Sequence, residues 1–182
     1  GEAKVSAPEG KAGGIGGAGN FTRMTMLPIL DRVKAPVAYI ASAGGVSETG
    51  LAKKHGIGKS TTDFTEMLAD PSVGLVVITT RHNLHASMVV QALAAGKDVF
   101  VEKPLALSEE ELGEIVAART TSRKNITTGF NRRFSPHTEA VKKHLPTEIG
   151  KNMVATMNAG FIPPEVWVHD MQVGGGRIIG EA

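Results

Sequence analysis

At 182 residues, with 41% apolar and 21% charged residues, the chain is long enough for one well-buried core and too apolar to be disordered. Cysteine is absent, which excludes disulfides and thiolate metal sites and fits a reducing cytoplasm. The formal charge is only +2, no apolar run approaches a membrane span, and no signal-peptide pattern opens the chain.

Residues 1–12 are Ala, Gly, Pro and charge without a period, and read as a tail or linker. Gly13–Asn20 is glycine-rich. After it, Phe21, Met24, Met26, Leu27, Ile29, Leu30 and Val33 recur at three and four and describe a helix face that Pro28 would kink or start. A strand, a glycine turn and a helix N-terminus form a phosphate cradle, because glycine lets backbone N–H groups approach and the helix dipole favours the charge. The match is partial. Gly17-Ala18-Gly19 fits, but Thr22 holds the third glycine position, and Gly13, Gly14 and Gly16 stand where a strand would carry β-branched residues. Taken alone the stretch reads equally as a mobile linker.

An alternation follows. Val37–Ile40 is a strand candidate, Ser47–His55 a helix closed by Gly56, and Lys59–Thr62 a short strand. Asp63 and Glu66 form a capping pair, and Asp70-Pro71 turns the chain into Leu75–Thr79, a buried strand. A helix over 83–95 ends at Gly96 and leads into Asp98–Val101. Ser108 and Glu111 make a capping box for a helix over 109–121, and Ile126–Phe130 is another strand. The spacings are too long for hairpins, so the expected fold is α/β: a doubly wound parallel sheet of Rossmann type. In that setting the glycine turn becomes a dinucleotide site.

Glu102-Lys103-Pro104 falls at the carboxyl end of a predicted strand, the edge where open parallel sheets bind ligands. A partly desolvated lysine there can hold a hydroxyl and help move its proton. A solvated strand end is the plainer alternative for the pair. An NAD site usually places a carboxylate after the second strand; this chain has Ala41-Ser42-Ala43, and its first acid is Glu48. NADP or NAD is therefore expected, with Ser42 tilting the balance to NADP.

Between Arg119 and Lys151, eight Lys/Arg stand against Glu139 and Glu148, a local +6. Beside a cleft it would favour an anion, but only Phe130 and Phe134 interleave it, so no nucleic-acid partner is expected. His82 and His85 are three apart and could hold a metal, yet no third ligand is near, so no metal site is assigned. Met24, Met26 and Met67 read as core fillers, and His169-Asp170 as a loop contact.

Gly17–Asn20, Ala94–Ala106, Gly129–Pro136 and Gly174–Gly180 together resemble one family, the glucose–fructose oxidoreductase, inositol dehydrogenase and rhizopine-catabolism dehydrogenases (Gfo/Idh/MocA). Gly19-Asn-Phe-Thr22, Arg81-His82 and the Gly174-Gly-Gly-Arg-Ile-Ile-Gly-Glu-Ala182 run look most like a branch fused behind a zinc-type alcohol dehydrogenase module.

The resemblance implies residues 13–148 as a dinucleotide-binding Rossmann domain and 149–182 as the truncated start of a second α/β domain for a sugar-like substrate, neutral or anionic. It implies Lys103 as the catalytic lysine. Cofactor contacts would come from Gly17, Ala18, Gly19, Asn20, Phe21, Thr22, Ser42, Thr79, Thr80, His82, His85, Glu102 and Lys103. Substrate contacts would come from Lys103, Asn131, Arg132 and Arg133. The family's acid/base Asp position is Gly180, and the family's His position falls past Ala182. Beyond Glu148 the sequence offers one strand, 152–159, with an apolar edge that would invite association with a second copy. The expectation is a cofactor-binding chain that does not turn over alone, within a sugar or polyol oxidoreductase family. A non-catalytic Rossmann module that senses a nucleotide or sugar stands as the alternative.

Overall fold

The computed structural model describes residues 10–43, 46–158 and 160–181, leaving out the side chains of 46–48 and 181. The tail up to residue 9, Glu48 and the chain's last residue thus lie outside the described residues or side chains. Among the described residues, six strands form one sheet: β1 (Ala12–Gly16), β2 (Val37–Ala41), β3 (Lys59–Thr61), β4 (Val73–Ile78), β5 (Asp98–Val101) and β6 (Ile126–Thr128). Their order is β3-β2-β1-β4-β5-β6 and every pairing is parallel. The doubly wound α/β architecture expected from the alternation is the one observed, with the order reversing beside β1.

The glycines do not prevent β1 from forming. Ile15 faces one side with Leu27, Ile40, Ala52, Ile57 and Val77. On the other side Gly14 and Gly16 leave room for methionines: a Cβ at Gly14 would fall 2.6 Å from Met67 Sδ, and one at Gly16 would fall 2.7 Å from Met88 Cε. The helices pack so close to the central strand that β-branched residues would not fit. β4 is buried on both faces from Val76 to Ile78, which explains the apolar run there, while Leu75 before it is 41% exposed. Ala12, assigned to the tail by sequence, is 2% exposed and already pairs with β4.

The crossovers are α1 (Leu27–Arg32), entered through a π-helical turn at Thr22–Met26, then α2 (Val46–Lys54), α3 (Phe64–Ala69), α4 (His85–Ala94) and α5 (Glu109–Ser122). The wider π turn shifts the helix phase. Leu27 is buried, but Met24 is 78% exposed and is not the core filler its spacing suggested. Asp63 and Ser108 cap α3 and α5 as expected. Their acidic partners act elsewhere: Glu66 accepts from Thr61 Oγ1, and Glu111 accepts from Leu107 N rather than from the cap residue. Lys97 is buried and donates to Asp70 O and Val73 O, fixing the entry to β4.

After β6 come a 3-10 turn (Asn131–Phe134) and α6 (Pro136–His144), which has no buried residue. The strand expected at 152–159 is absent: 151–158 carry no regular structure and are exposed, and residue 159 is outside the described residues. A strand needs a ladder partner, and the described residues offer it none. The chain then returns through a 3-10 turn (Trp167–His169) to α7 (Gly176–Glu181).

Candidate functional site

The glycine turn lies at the carboxyl end of β1. Gly17 has φ +111, which L side chains rarely adopt, and a Cβ there would fall 2.9 Å from the Thr79 carbonyl carbon. The turn is tied to both neighbouring strands, with Gly17 N donating to Ala41 O (2.8 Å) and Thr79 N to Gly16 O (2.8 Å). Thr22 lies beneath it, fully buried, donating Oγ1 to Gly17 O (2.9 Å) and meeting Thr79 Oγ1 at 2.6 Å. Thr22 and Thr79 thus support the turn from below and do not form its outer surface.

That outer surface is open. A Cβ at Gly19 would meet nothing within 4 Å, and Gly19 and Asn20 are exposed at the start of a continuous helical segment running to Arg32. Bare backbone, a helix start and space above them fit the pyrophosphate of a dinucleotide. Ser42 is half-buried just past β2, its N–H donating to Thr61 O.

The second cluster lies past β4 and β5 on the same edge. His85 is fully buried, with Nδ1 2.7 Å from Pro104 O and Nε2 3.2 Å from Thr80 O. Burial holds its pKa below the ordinary value, against the pull of those carbonyls. A neutral ring donates from one nitrogen, and the shorter contact assigns that proton to Nδ1. His85 therefore joins the end of β4 to the Lys103-Pro104 turn, whose peptide is cis. Glu102 N donates to Ile78 O, and its carboxylate packs so tightly on Gly129 that a Cβ there would fall 2.5 Å from Oε1. Burial raises the Glu102 pKa, opposed by the neighbouring Lys103.

The returning segment closes over this edge. Lys103 Nζ donates to Gly180 O, Asn83 N to Val173 O, and His82 Nδ1 to Gly174 O at 2.7 Å. The Trp167 ring stands edge-on to His82 at 4.8 Å, with the Arg81 guanidinium 5.3 Å from the indole centroid. Asp170 caps the 170–173 turn, accepting from Gln172 N and Val173 N, so the loop reading of His169-Asp170 holds. Among the described residues no cluster of three or more His, Cys, Asp or Glu could hold a metal.

The parallel topology thus brings Gly17–Phe21, Ser42, Thr79, Thr80, His82, His85, Glu102 and Lys103 to one sheet edge. Asn131, Arg132 and Arg133 follow β6 on that edge but are exposed on their 3-10 turn, and Arg132 donates to Met157 Sδ. Sequence reasoning missed Arg23, whose Nε donates to Ala18 O at 2.8 Å within the turn. Its place four residues past Gly19, one helical turn away, was the available signal. It also missed Trp167, which carried no periodicity.

The chain is 28% identical over 170 residues to 1,5-anhydro-D-fructose reductase of Ensifer adhaerens, covering 91% of this chain and 51% of that protein. It is 31% identical over 132 residues to inositol 2-dehydrogenase of Rhizobium meliloti (strain 1021), covering 72% and 39%. The fold superposes on the crystal structure of myo-inositol dehydrogenase from Lactobacillus casei in complex with NAD(H) and myo-inositol, with TM-score 0.68 and 28% identity over 73% of this chain and 40% of that one. The chain spans about half the length, or less, of these curated relatives. Residues 12–130 match the family described as GFO_IDH_MocA, oxidoreductase family, NAD-binding Rossmann fold. That match takes in all six strands, the glycine turn and Glu102-Lys103-Pro104, and the chain belongs to the Gfo/Idh/MocA oxidoreductase family.

Proposed function

We propose that this chain is the cofactor-binding part of an NAD(P)-dependent oxidoreductase that transfers hydride to or from a hydroxyl or carbonyl carbon of a sugar-like polyol. The observation that carries the reading is the juxtaposition of an open glycine turn and Lys103 on one carboxyl edge of a parallel sheet. The nicotinamide supplies the hydride chemistry when bound. Gly17–Phe21 would cradle the pyrophosphate by backbone N–H groups, and Lys103 would hold the reacting oxygen and move its proton. The inositol and anhydrofructose enzymes among its relatives support a polyhydroxylated substrate.

NADP is favoured over NAD because Ala41-Ser42-Ala43 offers a hydroxyl and no carboxylate at the end of β2. Arg133, on the basic stretch after β6, is the group we assign to an anionic substrate substituent. Placement in the branch fused to a zinc-type alcohol dehydrogenase rests on the sequence wording at Gly19–Thr22, Arg81-His82 and Gly174–Ala182. With Asn131, Arg132 and Arg133 exposed on their 3-10 turn, the expected behaviour of the 182-residue chain is cofactor binding without turnover.

The test is titration with NADPH and NADH, following thermal unfolding and nicotinamide fluorescence. Saturable binding with tighter NADPH supports the whole reading, and tighter NADH corrects the preference. No stabilisation by either at millimolar levels refutes the cofactor assignment, and oxidation of any polyol by this chain refutes the absence of turnover.

A further inference from the structure

We infer that Arg23 is the charged contact for the dinucleotide's pyrophosphate; the inference rests on the dinucleotide reading of the glycine turn. Arg23 begins one helical turn beyond Gly19, its N–H bonded to Gly19 O at 3.1 Å. Although exposed, its side chain folds back over the turn to place Nε on Ala18 O at 2.8 Å. A guanidinium carries five N–H donors in a planar fork, and this bond uses one. Among the described residues the terminal nitrogens meet no acceptor, so they lie beside the turn with their donors available.

The turn's other attractions for an anion are partial charges from backbone N–H groups and the helix start. Arg23 adds a full charge with a fork that matches two phosphate oxygens. Its anchor sits between Gly17 and Gly19, where the backbone approaches a pyrophosphate, whereas the ribose 2′ position belongs to the end of β2, occupied by Ser42. The pyrophosphate is therefore the partner its position favours over a 2′-phosphate.

The competing role is a brace that only stiffens the turn. Gln separates the two, because its Nε2 is as many bonds from Cα as the arginine Nε. Arg23→Gln thus keeps a donor for Ala18 O and removes the charge. Calorimetric titration of the 182-residue chain with NADH, NADPH and ADP should show R23Q binding all three about tenfold more weakly, the scale of one lost charge-assisted contact. Its unfolding temperature should be unchanged, and its NADH affinity should fall less steeply with added salt than the wild type's.

Wild-type affinity in R23Q for all three ligands overturns the inference and leaves Arg23 a brace. A loss confined to NADPH reassigns it to the 2′-phosphate and also overturns it. Should R23Q lower the unfolding temperature, R23K decides. An affinity between those of R23Q and the wild type supports the charge contact, and one as weak as R23Q's overturns it. Failure of the wild type to bind any of the three sinks the dinucleotide reading itself.

Discussion

Thr22 and Thr79 meet hydroxyl to hydroxyl at 2.6 Å, the first 0% and the second 8% exposed, directly beneath Gly17. The third position of the glycine pattern is thus filled by a side chain that replaces close helix–strand packing with a buried hydrogen bond. Thr22→Val keeps the volume and removes the donor to Gly17 O, while Thr79 retains Gly16 O and Gly17 O at 3.3 Å. The expected cost is about 1 kcal/mol. That corresponds to a melting temperature lowered by about 2–4 °C in a chain of this size. Calorimetry should also show T22S close to the wild type; equal melting of T22V and the wild type would remove the brace from the account.

Gly17 and Gly19 should respond to alanine in opposite ways. At Gly17 the positive φ and the Thr79 backbone 2.9 Å away both oppose a Cβ, so Gly17→Ala should lose thermal stability and dinucleotide binding together. Gly19 has open space, so Gly19→Ala should melt like the wild type yet bind NADH on the order of tenfold more weakly, as a methyl keeps the phosphates from the backbone. Tight NADH binding by G19A would place the ligand elsewhere.

Asp70 links the sheet's edge to its middle. Its carboxylate accepts from Lys59 Nζ at 2.8 Å and from Ser72 N and Oγ, and these bonds, that of Lys59 foremost, hold its pKa well below the ordinary carboxylate value. The unfolded carboxyl protonates first, near pH 4. The stabilisation is therefore complete above about pH 4 and is lost as pH falls toward the depressed folded value. Urea melts at about pH 5 and about pH 3 should show a smaller acid loss in Asp70→Asn than in the wild type. Equal losses would show that other carboxylates set the acid limit.

Trp167 is the only tryptophan in the sequence, and it packs against Arg81 and His82 at the site edge. NADH bound along that edge should quench indole emission and gain sensitised nicotinamide emission. His82→Ala should change the starting emission without abolishing the transfer. Saturable nicotinamide fluorescence with constant indole emission would place the returning segment away from the bound cofactor.

The alternation of strands and helices was legible because each element carries its own period and stop signal: Gly96 after α4, Ser108 before α5, Asp63 before α3. The site was legible where the sheet edge alone places it, as for Gly17, Ser42, Glu102 and Lys103. What was hidden depends on partners far along the chain. β1 looked too glycine-rich for a strand because Met67 and Met88, whose bulk requires those glycines, lie some fifty to seventy residues away. The caps misled in detail, since Glu66 and Glu111 had bonding partners outside the local motif. Residues 152–159 suggested a strand, but pairing is a property of two segments and the described residues give this one no partner.

Glycines on β1 place two thioethers against the strand that leads into the glycine turn, Met67 Sδ over Gly14 and Met88 beside Gly16 and within 3.5 Å of Thr80 Oγ1. That arrangement gives this sheet edge an oxidative weakness despite the chain's lack of cysteine. A sulfoxide adds a polar oxygen where the packing leaves no space, and peroxide should loosen the turn through its floor. Half-buried Met88 would react before fully buried Met67, and a methionine sulfoxide reductase would reverse the damage.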